Sequence, residues 1–181
     1  MREALPQSVD PRRQAELGRT LSGVISLARM PRLAAVVLNA EQSAEDYAAF
    51  ELGFRRDASG RHLVEGRVEA TLRLRCERCN GELELPVSSN FTLAVVEGLD
   101  EAAQLPEAYE PLLPDETEVD PAALVEDELL LALPAVLRHP VGVCEPPVRS
   151  GVEDVPPADL PDGTPARDNP FAVLDALKRH H

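Results

Sequence analysis

The stretch Val64-Glu-Gly-Arg-Val-Glu-Ala-Thr-Leu-Arg-Leu-Arg-Cys76, continuing through Glu77-Arg-Cys79-Asn80-Gly81 into Glu82-Leu-Glu-Leu-Pro86-Val87, decides how this chain folds. Val64, Gly66, Val68, Ala70, Leu72, Leu74 and Cys76 alternate with Glu65, Arg67, Glu69, Thr71, Arg73 and Arg75, the period of a half-buried strand. Asn80-Gly81 is a strong tight-turn signal. Leu83, Leu85, Val87, Phe91, Leu93 and Val95 then resume the alternation, with Pro86 favouring an edge or a bulge. The pattern predicts two long antiparallel strands joined at a cysteine-bearing turn.

Outward from this hairpin the grammar is plainer at some places than at others. Asp10-Pro11 opens a short helix, with Gly18 suited to the position past its end. Leu21 to Leu27 alternates loosely as a strand, and Arg29 to Leu38 fits either a short helix or a strand entry. Glu41 to Asp46 reads as a polar connector, Tyr47 to Arg56 as a strand, and Asp57 to Gly60 as the turn that ends it. Glu97 to Val119 reads as acidic loop. Asp120-Pro121 starts a helix through about Leu133, with Pro134 closing it. Val125, Leu129, Ala132 and Leu133 form its apolar face, and Glu126, Asp127 and Glu128 are expected in solvent. Eight prolines between Pro140 and Pro170 mark a linker. Asn169-Pro170 then caps a last amphipathic helix with Phe171, Leu174 and Leu177 on one side. The expected organisation is an α+β domain over 1–139, a linker over 140–168 and a helical tail over 169–181. The domain is an antiparallel meander of four to six strands with the Asp120 to Leu133 helix packed on it, and the sequence leaves open whether the sheet closes into a barrel.

At 181 residues with 3% aromatics and no Trp, the core must rest on Leu, Val and Ala. The formal net charge of −14 is uneven: up to Asn80 the chain is net +2, and from Gly81 onward it is net −16. Twelve acids and no Lys or Arg lie between Glu97 and Glu128. As a whole the chain repels phosphate, the main driver of nucleic-acid affinity, whereas its acidic half suits a basic partner protein. Glu107, Tyr109, Glu110, Glu126, Asp127 and Glu128, with Phe171 and Leu174 of the tail, are the candidate partner-binding residues. The competing reading is that the acids confer solubility alone. The start lacks an apolar leader and no run approaches a membrane span, so a cytoplasmic protein without a membrane partner is expected.

Three cysteines in that compartment are expected to stay reduced. Cys76-x-x-Cys79 on a tight turn resembles a zinc knuckle; Cys144 and, five residues before it, His139 are the candidate further ligands, with His62 a weaker one. Three inert thiols are the alternative. The expectation is therefore no cofactor, with zinc the one exception. No Ser-His-Asp set, phosphate loop or dinucleotide fingerprint appears, and three consecutive helical acids cannot converge on one ion. The chain is not expected to be an enzyme or to take a small-molecule substrate. Arg67, Arg73, Arg75 and Arg78 line the hairpin as an alternative RNA-binding surface. They are interleaved with Glu65, Glu69 and Glu77, face Glu82 and Glu84, and lack the aromatic platform of single-strand RNA binders.

Three pieces in order carry a resemblance: Arg73-Leu-Arg-Cys-Glu-Arg-Cys79; Leu105-Pro-Glu-Ala-Tyr-Glu-Pro111 with Val125-Glu-Asp-Glu-Leu-Leu-Leu-Ala-Leu-Pro134 and Cys144; and Asn169-Pro-Phe-Ala-Val-Leu174. Together they resemble the YceD family of bacterial large ribosomal RNA subunit accumulation proteins. The resemblance implies a non-enzymatic role in synthesis, processing or stability of 23S rRNA. The −16 half argues for a basic ribosomal protein or assembly factor as the direct contact, with the 23S precursor reached directly or through that protein. Some members have a fuller cysteine set near the position of Cys144, resembling a zinc ribbon. This chain keeps one cysteine there, a departure that favours a site without metal over one completed by a histidine.

Overall fold

The structure is a computed structural model and describes residues 6–38, 47–114 and 117–147. The chain divides into two units, and the described residues all lie in the first, which ends at Pro147. The expected tail helix, with Phe171 and Leu174, and most of the Pro-rich linker lie outside the described residues.

The alternating hairpin forms where the pattern places it. β3 (His62–Arg75) pairs with β4 (Glu82–Val95), from Leu63 opposite Ala94 to Arg75 opposite Glu82. Val64, Val68, Leu72 and Leu74 are buried while Glu65, Arg67, Glu69 and Arg75 are exposed, as a period of two requires. β2 (Tyr47–Arg56) lies antiparallel on the other side of β3, and β1 (Thr20–Ser26) antiparallel to β2. β5 (Glu110–Leu112) adds to β4 in parallel at Leu93–Val95. The order β1-β2-β3-β4-β5 is an open sheet; β1 and β5 are its edges and it does not close into a barrel. Because β5 covers only the last turn of β4, Pro86 faces a free edge, where its missing N–H costs nothing.

The helices are short and start on the Asp-Pro grammar. In α1 (Pro11–Glu16) the Asp10 carboxylate accepts the N–H groups of Arg12 and Arg13, and Gly18 adopts φ 58° past the end. Leu27–Arg29 is a single 3₁₀ turn and α2 (Pro31–Ala34) a single α turn, which resolves the ambiguous Arg29 to Leu38 stretch in favour of helix. The segment expected as loop from Glu97 to Val119 also contains α3 (Leu99–Ala102) and β5. Three residues with a central Pro111 carry no alternation, so β5 exists only because the β4 edge is there to pair with. α4 (Pro121–Leu131) is capped by Asp120 and ends two residues short of the expected Leu133.

α4 packs on β3, β4 and α2, and α1 on β2 and β3. One apolar cluster joins Ile25, Leu27, Met30, Leu33, Phe50, Leu52, Phe54, Val68, Leu72, Leu74, Val125 and Leu129. Leu, Val and a few Phe suffice for it.

Candidate functional site

The acids of α4 do not sit as their sequence suggests. Glu126 is 3% exposed and Glu128 7% exposed, which corrects the expectation that Glu126 to Glu128 face solvent. The physical reason is that α4 is sandwiched between the sheet and α2, so acids on both flanks need internal partners. Glu126 Oε1 accepts the backbone N–H groups of Arg32 (2.7 Å) and Leu33 (3.0 Å) at the start of α2. Its Oε2 accepts Nε (3.0 Å) and Nη2 (2.9 Å) of Arg32. The half-exposed Asp127 takes the remaining arm, Arg32 Nη1 to Oδ1 at 2.6 Å. These two carboxylates raise the Arg32 guanidinium pKa. They are an internal clamp between α2 and α4.

Glu128 points the other way. Its Oε2 accepts the Ser89 hydroxyl of β4 at 3.0 Å. Burial raises its carboxyl pKa above the ordinary value; the Ser89 bond opposes this, and the charges of Glu110 and Asp127 add to it. It opens into a groove of about 610 Å³ between the end of α4 and the sheet. Gly66, Ser89 and Phe91 form the sheet side, Leu131 and Ala132 the helix end, and Glu107 and Glu110 the β5 approach. Glu65 also lines it but is paired with Arg55 at 2.6 Å. No Lys or Arg lines the groove, and Glu107, Glu110 and Glu128 have no cationic partner among the described residues. Leu131 is 74% exposed. The structure thus brings together Glu107, Glu110 and Glu128 from the expected partner-binding set. It places Glu126 and Asp127 at α2 instead.

On the sheet side of the groove, Phe91 is packed against Gly66. A Cβ there would fall inside the ring of Phe91, its cross-strand partner, so Phe91 lies flat over the glycine.

At the far end of the hairpin, Cys76 N–H donates to Gly81 O (2.9 Å) and Asn80 N–H to Cys76 O (2.8 Å), with Asn80 at φ 58°. The segment after α4 returns to this turn, where Glu77 N–H donates to Leu137 O at 2.8 Å. It brings His139 and Cys144 with it. One donor atom from each of Cys76, Cys79, His139 and Cys144 lies within 4.8 Å of the others. His62 is elsewhere, with Nε2 3.0 Å from Glu16 Oε1. Burial opposes ionisation of Cys76, but the N–H groups of His139, Cys79 and Arg78 directed at its sulfur outweigh that and hold it down at about 5. Burial and the neighbouring Cys79 and Cys76 sulfurs push Cys144 up to about 11.

The hairpin arginines are mostly engaged. Arg67 bonds Glu69, Arg73 and Arg75 sit directly across from Glu84 and Glu82, and Arg75 Nη1 donates to Asn80 O at 3.3 Å. Arg78 Nη1 lies 4.0 Å from Cys144 Sγ.

Comparison with known proteins bears on all of these residues. A family model described as large ribosomal RNA subunit accumulation protein YceD matches residues 64–178. The Haemophilus influenzae protein of that name is 35% identical over 176 residues, covering 97% of each chain. The chain belongs to the YceD family. No solved structure matches it. In this YceD-family chain the matched region takes in the hairpin, the acidic groove and the cysteine turn together. Three contributors to these sites carry no signal along the sequence. Arg32 and Ser89 are partners supplied by distant elements, and Leu131 is the exposed last residue of α4. No helix among the described residues is long and apolar enough to cross a membrane.

Proposed function

We propose that this protein supports accumulation of 23S rRNA by binding a basic ribosomal or assembly protein in the groove between α4 and β4, and that it reaches the rRNA precursor through that protein. The observation that carries this reading is that three carboxylates without a cationic partner among the described residues, Glu107, Glu110 and Glu128, line one groove together with Phe91 and the exposed Leu131. An Arg or Lys of the partner would place its charge among the three acids and its methylenes against Phe91 and Leu131. The −16 charge beyond Gly81 adds long-range attraction that raises the association rate and weakens with salt. The name of the Haemophilus influenzae relative supplies the process.

The test is a tagged pull-down from growing cells, with and without RNase, comparing the native chain with a Glu107→Arg/Glu110→Arg variant. Both side chains are exposed and make no hydrogen bond or ion pair among the described residues, so the variant is expected to fold. A protein that survives RNase with the native chain but is lost, with reduced 23S rRNA, in the variant is the expected result. Release of everything by RNase overturns the reading and turns attention to Arg67, Arg73, Arg75 and Arg78.

A further inference from the structure

Cys76, Cys79, His139 and Cys144 form a cluster that the acidic groove does not use. We propose that these four residues bind one zinc ion, through the three sulfurs and His139 Nδ1. The ion would staple the segment after α4 onto the tip of the β3–β4 hairpin.

The four donors lie within 4.8 Å of one another, and two of their edges match those of a tetrahedral site. With Zn–S about 2.3 Å and Zn–N about 2.0–2.1 Å, the edges of a tetrahedral site are about 3.8 Å between sulfurs and about 3.6 Å between sulfur and nitrogen. Cys76 Sγ is 3.9 Å from Cys144 Sγ, and Cys79 Sγ is 3.5 Å from His139 Nδ1. These two opposite edges use all four donors. No disulfide links them.

Backbone donors are aimed at the first pair of sulfurs. His139 N–H points at Cys76 Sγ (3.5 Å) and Gly81 N–H at Cys79 Sγ (3.4 Å). Such donors fix and tune metal-bound sulfur. Three thiolates on a divalent ion leave one net negative charge, and Arg78 Nη1 stands 4.0 Å from Cys144 Sγ to meet it.

The chain path is built for convergence. The left-handed Asn80 lets the first pair turn back on itself. The Pro140–Val143 turn, with Gly142 at φ 85° and Val143 N–H donating to Pro140 O at 3.2 Å, folds His139 and Cys144 toward one point. A histidine thus stands where the single cysteine at position 144 leaves the donor set one short. Soft sulfur with one imidazole in a closed four-donor set selects zinc over harder ions. Its role here is structural, because no position is left open for water.

The test uses the full chain purified under reducing conditions without a metal-chelating column. One zinc per chain by elemental analysis is expected. Cobalt(II) in its place should give the visible bands of a tetrahedral site with sulfur-to-metal charge transfer. His139→Ala and Cys144→Ser should each weaken binding by on the order of 100-fold or more, since a closed site then lacks a ligand. His139→Cys should restore it with a four-sulfur spectrum. Should these variants fail to fold, thiol reactivity in the native chain decides: three thiols shielded until a chelator is added support the site. A chain without stoichiometric zinc, thiols equally reactive with and without chelator, or a cobalt spectrum unchanged by His139→Ala would overturn it. None of these results depends on the groove, so the zinc site and the partner reading stand or fall separately.

Discussion

Substituting Glu126 should damage the fold far more than its place in an acidic run suggests. The carboxylate is 3% exposed and accepts two backbone N–H groups that open α2, one of them on the fully buried Leu33, while also holding Arg32. Glu126→Ala leaves those donors without an acceptor. The half-exposed Arg32 guanidinium turns to water and adds little, whereas each backbone N–H so orphaned costs about 1–3 kcal/mol. Against a total stability of about 5–15 kcal/mol for a domain, this is a large fraction, and it corresponds to a Tm decrease of roughly 10 °C. Glu126→Gln keeps an oxygen for the two N–H groups but loses the charge facing Arg32, so its cost should be about 1–3 kcal/mol. Asp127→Asn removes only a half-exposed arm of the same arginine and should cost under about 1 kcal/mol. Urea denaturation followed by circular dichroism and tyrosine fluorescence ranks the three. An Ala variant within about 1 kcal/mol of the native chain, or no worse than Asp127→Asn, would refute the clamp. The practical consequence is that reversing Glu126, Asp127 and Glu128 together tests folding rather than partner binding, which is why the groove is probed at Glu107 and Glu110.

Gly66→Ala should destabilise by about 1–3 kcal/mol, because Phe91 must leave its place over the strand. An open strand site would instead gain about 0.5–1 kcal/mol from losing a glycine. The sign of the change in a denaturation midpoint therefore decides, and Phe91→Ala in the same chain should relieve the clash. Glu128 has a raised folded-state pKa, so the native state holds its proton more tightly than the unfolded chain. Its contribution is fully present below the ordinary carboxyl value and is lost as pH rises through the raised one. Glu128→Gln, which can still accept from Ser89, should raise Tm at neutral pH, with the gain shrinking on acidification. Equal Tm values across that range would refute the burial argument.

Local chemistry carried a large part of this protein. The period-two run from Val64 to Val95 sets two strands and their faces, while their register follows from the longer Cys76–Gly81 loop, in which Asn80 is left-handed. Asp10-Pro11 and Asp120-Pro121 each start a helix because a carboxylate cap and a donor-less first residue act within one turn. The candidate ligands Cys76, Cys79, His139 and Cys144 were readable as residue types and spacings. Their meeting was not, because the sequence separation of 60 from Cys79 to His139 is closed only by the sheet and α4. The same limit explains the acids. Along the sequence Glu107, Glu110, Glu126, Asp127 and Glu128 are equivalent negative charges. Tertiary packing makes Glu126 an internal clamp, gives Asp127 an arginine, and leaves Glu107, Glu110 and Glu128 lining one groove with Phe91 and Leu131. Residue chemistry and short-range periodicity are properties of neighbours in the chain. What a charge finally does depends on the dielectric and the partners around it, and for this protein Arg32, Ser89 and Phe91 arrive from elements far away in sequence.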